Sequence, residues 1–231
     1  MIRKLGFYIV PLFMGLVTTS VAADSQCYGT TAKGKLKNGV ELPMLGKNFV
    51  SYGQLAGALG RTYVHSTVRD IVLGAYHSLQ SSHPDKVFKY AETGFKEGGR
   101  FKPHKTHQNG LSVDFMTPVI DINTKNSVHL PTHALNRFGY DIEFNNNSRY
   151  ENYQIDYEAI AAHLIALHKE SIKYGVEIWR VIFDPKLQPM LLSTSGGEYI
   201  KANIELSKRR SWVRHDEHYH VDFNIPCLPL K

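Results

Sequence analysis

His215-Asp216-Glu217-His218-Tyr219-His220-Val221-Asp222-Phe223 reads as a β-strand with two chemically different faces. Tyr219, Val221 and Phe223 alternate with His218, His220 and Asp222. The two-residue period of a pleated strand sends these sets to opposite sides. The aromatic and β-branched set belongs against a core. Two histidines two residues apart then project together into the same space on the other face.

A second stretch, His104-Lys105-Thr106-His107-Gln108-Asn109-Gly110-Leu111-Ser112-Val113-Asp114-Phe115-Met116, has the same character. Asn109-Gly110 is a turn signal. Beyond it Leu111, Val113 and Phe115 alternate with Ser112, Asp114 and Met116, so Asp114 faces away from the apolar set. A turn before this strand lets His107 approach Asp114 from the side.

Imidazoles and a carboxylate converging on polar strand faces are the ligand types of a hydrolytic zinc site with one position left for water. The expected ligands are His107, Asp114 and His220. Zn2+ in such a set keeps a net positive charge, which lowers the pKa of a water towards about 7 and polarises a peptide carbonyl. His218, on the face of His220, is expected to take a proton or stabilise an oxyanion. His215 is close enough to orient that group or to donate to substrate. His104, three residues before His107, is either a partner behind the ligands or an additional ligand. Against this stands chance, since with 12 histidines in 231 residues some close pairs are accidental. Two motifs that each predict a polar strand face outweigh it. Neither H-E-x-x-H nor G-x-S-x-G occurs, so the zincin-helix and serine-hydrolase classes lose their signatures.

Elsewhere the chain reads as one exported domain. Arg3-Lys4, an apolar run from Leu5 to Val17, and small residues up to Ala23 form a secretory signal over residues 1–23. The run is short of the roughly 20 residues a bilayer span needs, so no membrane anchor is expected after signal removal. Residues 24–231 suffice for one core, and nothing of low complexity divides them. Cys27 and Cys227 lie near the two ends of that segment, and in an oxidising compartment they are expected to form a disulfide. Losing residues 1–23 removes two bases and no acid from a formal charge of +6. The longest basic run, Lys208-Arg209-Arg210, is too short to suggest a nucleic-acid binder.

Helical spacing of Val68, Ile71, Val72, Ala75, Tyr76 and Leu79 predicts a helix with Ser66 as N-cap, ended by His83-Pro84. A second helix is predicted behind Asp156, with Ile160, Leu164, Leu167 and Ile172 along one side and Gly175 at its end. His163 and His168 on it are five apart, share no face, and are expected at the surface or the edge of the core. Residues 176–183 have the composition of a buried strand. The N-terminal stretch reads as irregular, and 121–155 as a long surface loop.

On the two histidine motifs and their His-x6-Asp and His-x-His spacing, the chain resembles the penicillin-insensitive murein endopeptidases. These belong with the lysostaphin-type and D-alanyl-D-alanine metallopeptidases, whose fold is shared with the hedgehog signalling domain. The likeness runs from Gly34-Lys35-Leu36 and Gln54-Leu55-Ala56 to the C-terminal strand. It implies an α+β domain around a small, mainly antiparallel sheet with flanking helices, and zinc on His107, Asp114 and His220. It further implies His218 as a catalytic histidine helped by His215, and a metal-associated position at His104. The implied substrate is the peptide cross-link of peptidoglycan, including the D-alanyl to diaminopimelate bond, met in the periplasm or outside the cell.

Two other functions compete. A D,D- or L,D-carboxypeptidase acting on murein peptides needs a cation to grip a terminal carboxylate, and Arg100 and Arg214 are the candidates. A non-catalytic peptidoglycan-binding envelope protein needs no intact ligand set.

Overall fold

A computed structural model describes residues 24–211 and 213–230. The expected export signal at residues 1–23 lies outside them. The chain forms β1 (Gln26–Thr30), β2 (Lys33–Lys37), β3 (Val40–Glu41), β4 (Phe49–Ser51), α1 (Gln54–Ala58), β5 (Tyr63–Val64), α2 (Ser66–Ser82) and β6 (Phe88–Tyr90). Then follow β7 (Ser112–Met116), β8 (Val119–Asp121), β9 (Ser127–Val128), a 3-10 turn at Ala134–Gly139, β10 (Arg149–Tyr150) and β11 (Tyr153–Ile155). The C-terminal part is α3 (Tyr157–Lys173), β12 (Glu177–Ile182), α4 (Gln188–Leu192), α5 (Gly197–Asn203) and β13 (His218–Asn224).

The main sheet has the order β12-β13-β7-β6-β4, antiparallel except where β4 runs parallel to β6. This is the expected α+β architecture. Its centre is the β7/β13 pair, in register Tyr219 opposite Phe115 and Val221 opposite Val113. On that face α3 delivers His163, which stacks on Tyr76 of α2 at 5.0 Å and on Phe88 at 5.2 Å and meets Phe115 edge-on at 4.6 Å. The helices therefore cover one face of the sheet. The other face belongs to the histidines.

Several local expectations need correction. The first helix is capped by His65, whose Nδ1 accepts from Thr67 N–H at 3.2 Å, so Ser66 is already helical. The second helix has the expected Asp156 cap, with Oδ1 accepting from Ala159 N–H at 3.0 Å. Ile172 on it is 58 % exposed, because the buried stripe runs through Glu170 and Ser171 and leaves Ile172 off it. His163 is fully buried rather than at an edge. Residues 176–183 form an edge strand with Trp179 exposed at a bulge, not a strand buried on both sides. The N-terminal stretch is not irregular: β1 and β2 make a hairpin, and β3 pairs with β5. Residues 121–155 carry part of a second antiparallel sheet, β10-β11-β8-β9, whose strands are too short to leave a periodic signature.

Cys27 and Cys227 form a disulfide with their Cα atoms 4.8 Å apart. The C-terminal segment lies along β1, with Gly29 N–H donating to Leu228 O at 2.9 Å. Cross-linking positions 200 residues apart contributes about 5 kcal/mol in a chain-entropy treatment. Among the described residues no helix is long and apolar enough to cross a membrane.

Candidate metal centre and active site

Strand register builds one half of the site. On the face away from α2 and α3, His220 lies opposite Asp114, His218 opposite Met116 and Asp222 opposite Ser112. The other half comes from the segment before β7. Its turn is fixed by Gly110 (φ 78°), where a Cβ would come within 2.6 Å of Leu36 Cδ2 and 2.8 Å of His65 N. His107 is itself left-handed (φ 66°), as is His215 (φ 56°). Residues with side chains avoid this region, and such strain gathers at functional sites.

Asp114 is the hub, and its two oxygens face different groups. Oδ1 lies 3.3 Å from His107 Nε2 and 2.8 Å from His220 Nδ1. Oδ2 lies 2.9 Å from the Tyr140 hydroxyl, 3.7 Å from His218 Nε2 and 3.8 Å from His104 Nδ1. All of these groups are buried or nearly so.

Each site histidine is held from behind through its other nitrogen. His107 Nδ1 lies 3.0 Å from the Thr93 carbonyl, His104 Nε2 2.8 Å from Glu92, and His215 Nδ1 3.0 Å from the Val213 carbonyl. His218 Nδ1 lies 2.8 Å from Glu217, and His220 Nε2 2.8 Å from Asp222. A carbonyl oxygen only accepts, so His107 and His215 carry their hydrogen on Nδ1 and present a bare Nε2. The carboxylates are held in turn. Glu92 accepts from Arg61 Nε at 2.6 Å and from the Tyr52 hydroxyl at 2.7 Å. Asp222 accepts from Ser112 at 2.6 Å and from Arg180 Nε at 3.1 Å. Carboxylates placed behind histidines in this way fix ring orientation and tautomer at metal sites.

This arrangement fits a cation. His107 Nε2 is buried without a hydrogen-bond partner, and its lone pair faces a carboxylate oxygen at 3.3 Å. Without a positive charge between them, that contact is repulsive. Ligand atoms of His104, His107 and Asp114 all lie within 4.8 Å of one another and can hold a metal ion. His220 Nδ1 is closer to Asp114 Oδ1 than either other histidine, so the cluster offers three histidine ligand candidates around one carboxylate.

The protonation states are set by burial and neighbours. Burial opposes the charge on Asp114, but His107 and His218 hold its carboxyl well below the usual range. Burial pushes His107 down, His218 down to about 4 and His215 down to about 3. Burial would lower His220 as well, yet Asp222 and Asp114 outweigh it and push it up to about 10. Burial drives Glu217 up to about 8, while His104 and Arg61 bring Glu92 down to about 2 against its burial.

The centre opens into a cleft of about 630 Å³ lined by His104, Asp114, His215, His218 and His220, with Tyr52, Leu55 and Phe138 among its apolar walls. All six site residues expected from the sequence therefore meet here, with His107 beneath. Arg100 and Arg214 do not line the cleft. Arg214 is tied to Asp216 at 2.7 Å and Glu143 at 3.0 Å, so it has no free guanidinium for a terminal carboxylate. Glu92, Glu217 and Asp222 were missed as holding groups, although Glu217 and Asp222 flank the histidine motif. Tyr140 was missed altogether, and no local pattern marks it.

An α+β domain with such a centre has the donor set of a metalloprotein. A family model described as penicillin-insensitive murein endopeptidase matches residues 27–228. The chain belongs to that family, which implies murein endopeptidase activity. No curated protein matches the chain significantly.

Proposed function

We propose that this chain is a zinc-dependent murein endopeptidase that cuts the peptide cross-links of peptidoglycan, including the D-alanyl to diaminopimelate bond. In this proposal residues 1–23 export it and are removed, and 24–231 form the metallopeptidase domain in the periplasm or outside the cell. The observation that carries the metal assignment is the bare His107 Nε2 at 3.3 Å from Asp114 Oδ1, with His220 Nδ1 2.8 Å from the same oxygen. His107, Asp114 and His220 would hold the ion, which would take the place of the Nδ1 proton that Asp222 and Asp114 favour on His220.

Zinc supplies Lewis acidity there, lowering the pKa of a water and polarising the scissile carbonyl. The protein contributes position and protons. Burial keeps His218 neutral and Glu217 protonated, so Glu217 donates to His218 Nδ1 and Nε2 carries a hydrogen towards the cleft. His218 then donates to the developing oxyanion, or passes its Nε2 hydrogen to the departing amine while taking Glu217's proton at Nδ1; the proton given up by the attacking water goes to solvent, and solvent restores Glu217. His215, with its hydrogen on Nδ1, presents an accepting Nε2 rather than a donor. That suits it to orient a substrate N–H. His104, held by Glu92, stands beside the ligands on the Oδ2 side of Asp114. None of these groups is a serine for penicillin to acylate.

The test is digestion of purified cross-linked muropeptide dimers followed by mass spectrometry. The proposal expects monomers whose masses sum to dimer plus water, formed in the presence of penicillin and abolished by a chelator. Loss of a terminal D-alanine with the cross-link intact would make the enzyme a carboxypeptidase, and no product from metal-loaded protein would make it a binding protein.

A further inference from the structure

Tyr140 reaches Asp114 from the segment that the sequence leaves blank. The three residues before it, Arg137 (φ 48°), Phe138 (φ 58°) and Gly139 (φ 99°), are all left-handed. A Cβ on Gly139 would come within 2.5 Å of Met116 Cε, so this path passes tightly over β7. Asn136 Oδ1 holds it by accepting from His133 N–H and Gly139 N–H, both at 2.9 Å. Backbone strain of this kind persists only where the surroundings impose it. What the strained turn delivers is a phenol between two site histidines, with ring centroids 4.8 Å from His218 and 5.5 Å from His104.

The direction of its hydrogen bonds is determined. Glu92 N–H donates to the Tyr140 oxygen at 3.3 Å, and the phenol hydrogen is left for Asp114 Oδ2 at 2.9 Å. An ionised carboxylate only accepts.

We propose that Tyr140 is a positioning residue that makes Asp114 a one-oxygen metal ligand. By engaging Oδ2 it leaves Oδ1 alone towards His107 and His220, which keeps the cleft side of the ion available to water and substrate. Without the hydroxyl, Oδ2 is free to turn to the ion as well and fill that position. This inference rests on the ligand assignment proposed above.

Cobalt substitution reads the difference directly, because four-coordinate Co2+ absorbs visible light more strongly than five- or six-coordinate Co2+. Tyr140→Phe is expected to weaken the visible band of the cobalt protein and to lower kcat by about 10–100-fold with KM little changed, the usual scale for an outer hydrogen-bond partner. Gly139→Ala, which strains the turn at its left-handed φ of 99°, is expected to move the band in the same direction and serves if the phenylalanine variant does not fold. A wild-type band and wild-type kcat in the folded variant would overturn the role of Tyr140. Asp114→Ala separates this from failure of the ligand assignment. If it loses cobalt while Tyr140→Phe behaves as wild type, only the tyrosine's role falls; if it keeps cobalt, the ligand assignment falls.

Discussion

His163 and His220 lie on opposite sides of the β7/β13 pair, at 0 % and 3 % exposure, yet their environments pull them apart. Burial among Tyr76, Phe88 and Phe115 pushes His163 down to about 3. At His220 burial acts the same way, but Asp222 and Asp114 reverse it, to about 10. One face of the ribbon is a core whose histidine meets only a neutral hydroxyl and aromatic rings, and the other is a buried site in which every imidazole is held by a carboxylate or a backbone carbonyl. Burial does not distinguish them. Partners do, and they predict that substitutions on the two faces fail in different ways.

The largest expected effect is on the histidine face. His218→Ala should lower kcat by about 10²–10⁴-fold, the range for losing a positioned acid or oxyanion donor, while retaining zinc and the wild-type unfolding midpoint. Measuring turnover, metal content and denaturation on one preparation tests all three. A variant that lost zinc and regained full turnover on metal addition would place His218 among the ligands.

On the core face the pattern should invert. Phe115 is cross-strand from Tyr219 and buried under His163, and truncating a buried phenylalanine costs about 3–5 kcal/mol. Phe115→Ala should lose that stability in urea unfolding while its initial rate at low temperature stays near wild type. Loss of zinc from the folded variant would show that the two faces are coupled through the strand.

How far the sequence discloses each face follows from the distances involved. Strand alternation is local, so Tyr219, Val221 and Phe223 against His218, His220 and Asp222 are legible within six residues, and the register with Asp114 follows once both strands are paired. The tethers are not local. Glu92 reaches His104 and Arg61 from β6's end, and Thr93 meets His107 through a backbone carbonyl that no side-chain pattern records. Tyr140 depends on three left-handed residues that only one glycine hints at. His163 misled for the converse reason: a histidine in a helix looks polar, yet stacking on aromatic rings and the Tyr219 hydroxyl accommodate it in the core.

The smallest effect sharpens the same contrast by pH. The folded pKa of His163, about 3, lies below the ordinary histidine value of 6.5, so between these values the unfolded chain binds a proton that the native one does not. Its contribution to stability is therefore complete above about pH 6.5 and declines as pH falls towards 3, at up to about 1.4 kcal/mol per unit. His163→Gln should be less stable at neutral pH and show a flatter fall in urea midpoint between pH 6 and pH 4. An unchanged slope would mean that His163 is protonated in the folded core.

Zinc stoichiometry after chelator washing and reloading is the most direct test of the metal centre. Elemental analysis should find one zinc per chain in the wild type and in His218→Ala, and essentially none in folded His107→Ala, Asp114→Ala and His220→Ala. Stoichiometric zinc retained by His220→Ala, with loss on His104→Ala instead, would contradict the assignment and move the centre to His104, His107 and Asp114.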